Sequence, residues 1–193
     1  CYLLCKEAFV MLSIALCTYN GEKYLQEQLE SFINQSLLPD ELVVCDDSSQ
    51  DRTIEILQKF SSHAPFKVKI IKNEKSIGII NNFSKAIDIC SGDYIAISDQ
   101  DDVWMSTKLE ETVNFLKNME KKYGKSFPLL VHSDLTVVDE ELNVQNESMM
   151  RSQHINNEDD SRSALGILLA NNYVTGCTVV INKELKNLSL PIP

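Results

Sequence analysis

Little of this chain is glycine or proline, six and five residues in 193, which excludes collagen-like repeats and linker-dominated architectures. An excess of positive charge is missing too. Eighteen Lys and Arg stand against 28 Asp and Glu, a formal charge of −10, the opposite of what a phosphate-neutralising nucleic-acid binder needs. The longest apolar run, Ala8 to Cys17, follows Lys6 like the hydrophobic part of a leader peptide, but it is too short to span a bilayer and reads better as the approach to a buried strand. The six cysteines, at 1, 5, 17, 45, 90 and 177, form no CxxC and meet no paired histidines, so neither a zinc site nor a redox motif is indicated. Cys17, Cys45 and Cys90 fall in apolar segments, where reduced cysteine acts as a small hydrophobe, and this favours the cytoplasm. No GxGxxG follows the first strand and no GxxxxGK occurs anywhere, leaving a dinucleotide fold and a P-loop unsupported.

What is present is a rhythm. With 44% hydrophobic and 24% charged residues, the composition is that of one globular domain. Short β-rich runs, Met11–Cys17, Glu41–Cys45, Lys67–Lys72, Tyr94–Ser98 and Leu129–His132, alternate with helical periodicity at 22–35, 51–62, 78–90 and 106–122. Leu25, Leu29, Phe32 and Ile33 mark one helix face, and Phe83, Ala86, Ile87 and Cys90 another. Successive crossovers of this kind predict an α/β fold with an open, mostly parallel sheet and flanking helices. Later, Thr136–Val138 and Leu142–Val144 predict a hairpin, Gln153–Arg162 a polar loop, Ser163–Ala170 a helix and Val174–Ile181 a strand. Residues 1–10 read as an extension outside the fold.

An open parallel sheet collects its ligand at the carboxyl ends of the strands, where several loops converge. The residues there are Thr18-Tyr19-Asn20, Asp46-Asp47-Ser48-Ser49, Asn73-Glu74-Lys75, Asp99-Gln100-Asp101-Asp102 and Ser133-Asp134. So many carboxylates at one edge repel unless a cation relieves them, and Mg²⁺ or Mn²⁺ suits oxygen donors that also bridge to phosphate. Helix capping accounts for Ser48, Ser49 and Asp51, but for only one of Asp99 to Asp102. Tyr19 is placed to stack on a planar base and Asp47 to accept a hydrogen from a base or ribose. His132 ends a strand beside Asp134 and reads as a packed or solvent-facing residue, and Tyr94 and Trp104 as packing. Two other classes fit a metal at strand ends. One is a phosphoacceptor signalling domain, although the acid pair follows the second strand and not the first. The other is a nucleotidyltransferase, for which TYNGEKY makes a poor triphosphate loop.

Five strings in order, SIALCTYNGEKYLQEQLESFINQS, ELVVCDDSSQDRTIEIL, NEKSIGIINNFSKAI, GDYIAISDQDDVW and NYVTGCTVVINKEL, resemble the nucleotide-sugar-dependent family-2 glycosyltransferases of GT-A type fold. The form SDQDDVW is especially similar to bacterial polysaccharide transferases, including rhamnosyltransferases. The resemblance implies that residues 11–193 are a nucleotide-sugar-binding domain. Cys17, Tyr19 and Asp47 would cradle the nucleoside of a UDP- or dTDP-sugar. Asp101 would ligate an Mg²⁺ or Mn²⁺ ion bridging the diphosphate, Asp99 would face the ribose or sugar, and Asp102 the sugar or the loop. Lys75 would be the cation near the diphosphate, and Gly176 would belong to the acceptor-side loop that supports the sugar. The implied reaction is inverting transfer to a hydroxyl of a saccharide or lipid-linked saccharide in cell-surface polysaccharide synthesis, with membrane contact only in a longer enzyme. The family's catalytic base lies tens of residues beyond the glycine strand. Glu184, the one acid after Gly176, reads as part of a polar turn, so the expectation is a C-terminally truncated, donor-binding portion whose base lies beyond Pro193.

Overall fold

The computed structural model describes residues 10–153 and 173–193. A six-stranded sheet sets its strands in the order Lys67–Lys72, Glu41–Asp46, Leu12–Thr18, Tyr94–Ser98, Val179–Asn182 and Leu130–His132. Strands β1 (Leu12–Thr18), β2 (Glu41–Asp46), β3 (Lys67–Lys72) and β4 (Tyr94–Ser98) are parallel, joined by helices α1 (Leu25–Ile33), α2 (Thr53–Ser61) and α3 (Ile79–Ile89). β1 and β2 are buried along their whole length because both faces are covered, which is why their sequences read as near-continuous apolar runs. Alternation still sorts the side chains. Leu12, Ile14 and Leu16 join Leu25, Leu29 and Phe32 of α1 in one core layer, while Ala15 and Cys17 join Ala86 and Ile87 of α3 in the other. Trp104 is buried edge-on to Phe32, with ring centroids 4.8 Å apart, and the Tyr94 hydroxyl donates to Glu120 at 2.8 Å, so both are packing residues as expected. Cys17, Cys45, Cys90 and Cys177 are free thiols, the first three buried.

The second half departs from simple crossovers. After α4 (Lys108–Tyr123), strand β5 (Leu130–His132) lands at the sheet edge, and β8 (Val179–Asn182) inserts antiparallel between it and β4. Burial explains the exchange: all four residues of β8 are buried, whereas Leu130 is exposed and β5 is at best half-covered, so the strand that is apolar on both faces takes the interior place. β6 (Val137–Val138) and β7 (Val144–Asn146) form the anticipated hairpin, followed by the short helix α5 (Met149–Ser152). The predicted strand at Val174–Ile181 begins only at Val179. Before it, Gly176–Thr178 form a 3-10 turn closed by Thr178, whose amide and hydroxyl both donate to Thr175 O at 3.0 and 2.7 Å. Glu184, expected in a turn, lies in helix α6 (Lys183–Ser189), capped by the Asn182 side chain accepting from Leu185 N at 3.1 Å. The polar loop beyond Gln153 and the helix at Ser163–Ala170 fall outside the described residues. Among the described residues, no helix is long and apolar enough to cross a membrane.

At the amino edge of the sheet, buried Glu41 accepts from the Ser13 hydroxyl (2.7 Å) and from Ser91 N (2.6 Å), while Gly92 N donates to Ser13 Oγ (2.8 Å). A Cβ at Gly92 would lie 2.8 Å from the backbone atoms Ser13 N and Tyr94 O. Gly92→Ala is therefore expected to lose about 1–3 kcal/mol by overpacking. Urea unfolding checks this through a lowered midpoint at unchanged slope.

Candidate functional site

The loops after β1 and β2 are tied together by reciprocal hydrogen bonds. Asn20, at φ 49°, donates its N–H to Ser49 Oγ (2.9 Å), and its side-chain oxygen accepts from Gln50 N (2.9 Å). Gly21 N donates to Thr53 Oγ1 (2.8 Å) and Glu22 N to Asp51 (3.0 Å), while the Glu22 carboxylate accepts from Arg52 N (3.0 Å). Asp46, fully buried, accepts from the hydroxyls of Thr18 and Ser49 and from Ser49 N. Asp51 accepts from both the amide and the hydroxyl of Thr53, a local turn just ahead of α2, whose N-cap position, Arg52, makes no side-chain capping bond.

Asp47 reaches the other way, to the β3–α3 loop. One oxygen accepts from Asn73 Nδ2 (2.9 Å) and Ile77 N (2.8 Å), the other from Ser76 Oγ (2.6 Å) and Gly78 N (3.0 Å). Burial alone would raise its pKa, but these four donors outweigh burial and hold it below the ordinary carboxylate range. Asp47 stands just past the carboxyl end of β2, and its carboxylate is engaged within the protein. Lys75 is exposed at the turn of the loop that Asp47 holds.

The β4 loop carries the acids. Gln100 locks it to the first loop, accepting from Tyr19 N (2.8 Å) and donating to Tyr19 O (3.1 Å). Gly21 makes room for this, since a Cβ there would lie 2.8 Å from Gln100 Cδ. The Tyr19 side chain, 55% exposed, stays open beside the lock. Asp99 is raised to about 6 by burial, then by the charges of Asp102 and Asp101. Asp101 is exposed. Burial also raises Asp102, against the nearby Cys177 thiol and the Lys108 charge, and among the described residues one Asp102 oxygen is buried without a hydrogen-bond partner. Cys17 sits near the end of β1 between β2 and β4, and its thiol is pushed up by burial first and then by its ionisable neighbours Cys45, Asp99 and Asp47.

Antiparallel β8 completes the edge. Ile95 pairs with Ile181 and Ala96 with Val180, so the residues before β8 lie beside the carboxyl end of β4. That puts Gly176 and Cys177 against the acidic loop, and one ligand atom each from Asp99, Asp102 and Cys177 lie within 4.8 Å of one another. The same reversal sends α6 to the opposite edge, where Lys183 N donates to Asp93 O (2.8 Å), so Glu184 is remote from the acids. Cys17, Tyr19, Asp47, Asp99, Asp101, Asp102 and Gly176 thus share one edge. Asp134 does not add a charge to the cluster. It accepts from Ser148 Oγ, Leu135 N and Met150 N, holding the β5–β6 connection to α5. His132 faces Tyr173, ring centroids 5.5 Å apart. Sequence reasoning missed Gln100, Cys177 and Lys108. For Gln100 the signal was its place between two acids at a strand end, while nothing local marks the other two.

Residues 13–125 match the profile described as Glycosyl transferase family 2. The chain belongs to this family. Among curated relatives of this family-2 chain, the dTDP-rhamnosyl transferase RfbG of Shigella flexneri is 35% identical over 105 residues, 52% of this chain and 36% of that protein. WfaP of Escherichia coli, named a UDP-Glc:alpha-D-GlcNAc-diphosphoundecaprenol beta-1,3-glucosyltransferase, is 32% identical over 127 residues, 66% of this chain and 49% of that protein. TarS 1-349 of S. aureus, solved in complex with UDP-GlcNAc, is 28% identical at a TM-score of 0.52, covering 56% of this chain and 31% of that one. The chain spans between 36% and 40% of the length of the first curated relatives it matches. The GT-A type α/β fold expected from the sequence is the one observed, and family membership sets aside the phosphoacceptor and nucleotidyltransferase alternatives.

Because the folded pKa of Asp47 is depressed, its contribution to stability is present above the unfolded value near 3.8 and disappears as pH falls through the folded one. Asp47→Asn is expected to cost about 1–3 kcal/mol at pH 7 by weakening a buried acceptor. The deficit should shrink toward pH 3, giving a flatter acid arm in a pH series of thermal melts.

Proposed function

We propose that this chain forms the donor-binding part of an inverting glycosyltransferase that moves a sugar from a UDP- or dTDP-sugar to a hydroxyl of a saccharide or lipid-linked saccharide acceptor in polysaccharide synthesis. The observation that carries this reading is the convergence of exposed Tyr19, the Asp99–Asp102 loop and the Gly176 turn at one edge, locked by the Gln100–Tyr19 pair. The named specificities of RfbG and WfaP support the substrate class.

The acids fit a hard divalent cation. Burial, and then the charges of Asp102 and Asp101, raise Asp99, and one Asp102 oxygen is left without a partner among the described residues, a set of oxygen donors that suits a hard ion. Asp101, with Asp99 beside it, would hold Mg²⁺ or Mn²⁺. When bound, the ion supplies Lewis-acid stabilisation of charge on the leaving diphosphate. Tyr19 offers a face for the base. The Asp47-anchored loop brings Lys75 toward the diphosphate, and Cys17 closes the floor between the two acidic loops. The Gly176 turn walls the sugar side, its Cα facing open space that a Cβ would enter without contact. Deprotonation of the acceptor is assigned to no described residue.

Calorimetry with UDP and with dTDP, each with and without Mn²⁺, tests this. Metal-dependent binding of one nucleotide is expected, weakened about tenfold or more by Asp101→Ala. Absence of binding for both, or an unchanged affinity in the variant, rejects the assignment.

A further inference from the structure

Lys108 is in an unfavourable place for an ordinary surface lysine. It is the first residue of α4, where a cation opposes the helix dipole. Its ammonium is half-buried, 4.6 Å above the Trp104 ring, and burial lowers its pKa to about 8 despite the favourable charge of Asp102. Helix stability gives no reason for this arrangement. The ammonium donates a hydrogen bond to Cys177 O at 3.1 Å, across 69 residues of sequence. The base from which it reaches is fixed. Gln35 donates to Met105 O (2.9 Å) and accepts from Leu109 N (3.1 Å), and Ser36 N donates to Ser106 O (2.8 Å), pinning residues 105–109 to the end of α1. On the far side, the Cys177 sulfur lies within 4.8 Å of an Asp102 carboxylate oxygen. Lys108, Cys177 and Asp102 therefore link three elements that local sequence leaves independent: the start of α4, the turn before β8 and the acidic loop after β4.

We propose that Lys108 is a positioning residue that fastens the Gly176–Thr178 turn onto the Asp99–Asp102 loop, so that the wall beside the donor sugar and the loop that holds the diphosphate move as one unit. The role beside a donor rests on the proposed function, but the latch itself does not. Its energetic basis is a charge-assisted hydrogen bond to a backbone carbonyl in a partly dry setting, the stronger class of hydrogen bond. Lysine is suited to it because a single compact ammonium on a flexible stem can meet a carbonyl and an aromatic face together. The latch should act on whatever touches the turn, which is the sugar and not the base.

Two readouts on the full chain separate the latch from its proposed use. In hydrogen exchange without ligand, Lys108→Met is expected to speed exchange at residues 176–182 and 99–104 together, with the β1–β3 amides unchanged and Lys108→Arg close to the parent. Faster exchange confined to α4, or none, would overturn the latch. In calorimetry with Mn²⁺, Lys108→Met is expected to weaken the glucose conjugate of UDP or of dTDP by about tenfold, as loss of one charge-assisted hydrogen bond implies. The free nucleotide should change by less than about twofold, within what an uninvolved contact allows, and Lys108→Arg should restore most of the difference. Equal weakening of nucleotide and conjugate, or neither, would overturn the positioning role. Parent protein that binds no nucleotide would instead count against the proposed function, with the exchange data still deciding whether the latch exists.

Discussion

Parallel strands end together, and their last carboxyl-side residues must satisfy one another before they can serve a ligand. Here carboxylates do this work. Asp46 gathers Thr18 and Ser49, Asp51 joins the start of α2 to Glu22, and Asp47 holds four donors of the β3–α3 loop. Each is a charged acceptor meeting several N–H or O–H groups, which makes these bonds stronger than neutral ones and keeps three loops in fixed relation. Remove that network and the edge becomes a set of mobile loops carrying like charges. With it in place, the acids after β4 are left as the group whose repulsion is not resolved from within, and that difference between satisfied and unsatisfied carboxylates is what singles out the site.

Much of this was readable from residue order. The i, i+4, i+7 spacing of Leu25, Leu29 and Phe32 gives the α1 face that is buried, and the alternation of Leu12, Ile14 and Leu16 against Ala15 and Cys17 gives the two faces of β1. Because these are periodicities of three to seven residues, they survive without knowledge of the fold. The rule that loops meet at the carboxyl edge then brought Tyr19 and the Asp99–Asp102 segment to one place, and the Gln100–Tyr19 pair bears this out directly.

Other features depended on pairing across long distances. Nothing within VVIN states that it will run antiparallel beside β4 and displace β5. That choice follows from which strand is apolar on both faces once all are present. The consequence is chemical, since the reversal brings Cys177 to Asp102 and carries Glu184 away. Asp47 shows a second limit. Two of its four donors are backbone N–H groups of Ile77 and Gly78, which carry no side-chain signature, so a carboxylate read as open to a nucleoside is found holding a loop. Asp134 is the same case, with Leu135 and Met150 supplying the amides.

A divalent cation held as proposed at the acidic loop after β4 would lie within reach of the first loop and the Gly176 turn. Paramagnetic broadening of assigned amide resonances on titration with Mn²⁺, repeated in the presence of nucleotide, tests this most directly. The strongest broadening is expected on residues 17–21, 99–102 and 176–178, sharpening in contrast when nucleotide is added. Broadening centred on the exposed acids of the β6–β7 hairpin, Asp139 to Glu141, with the β4 loop unaffected, would contradict it.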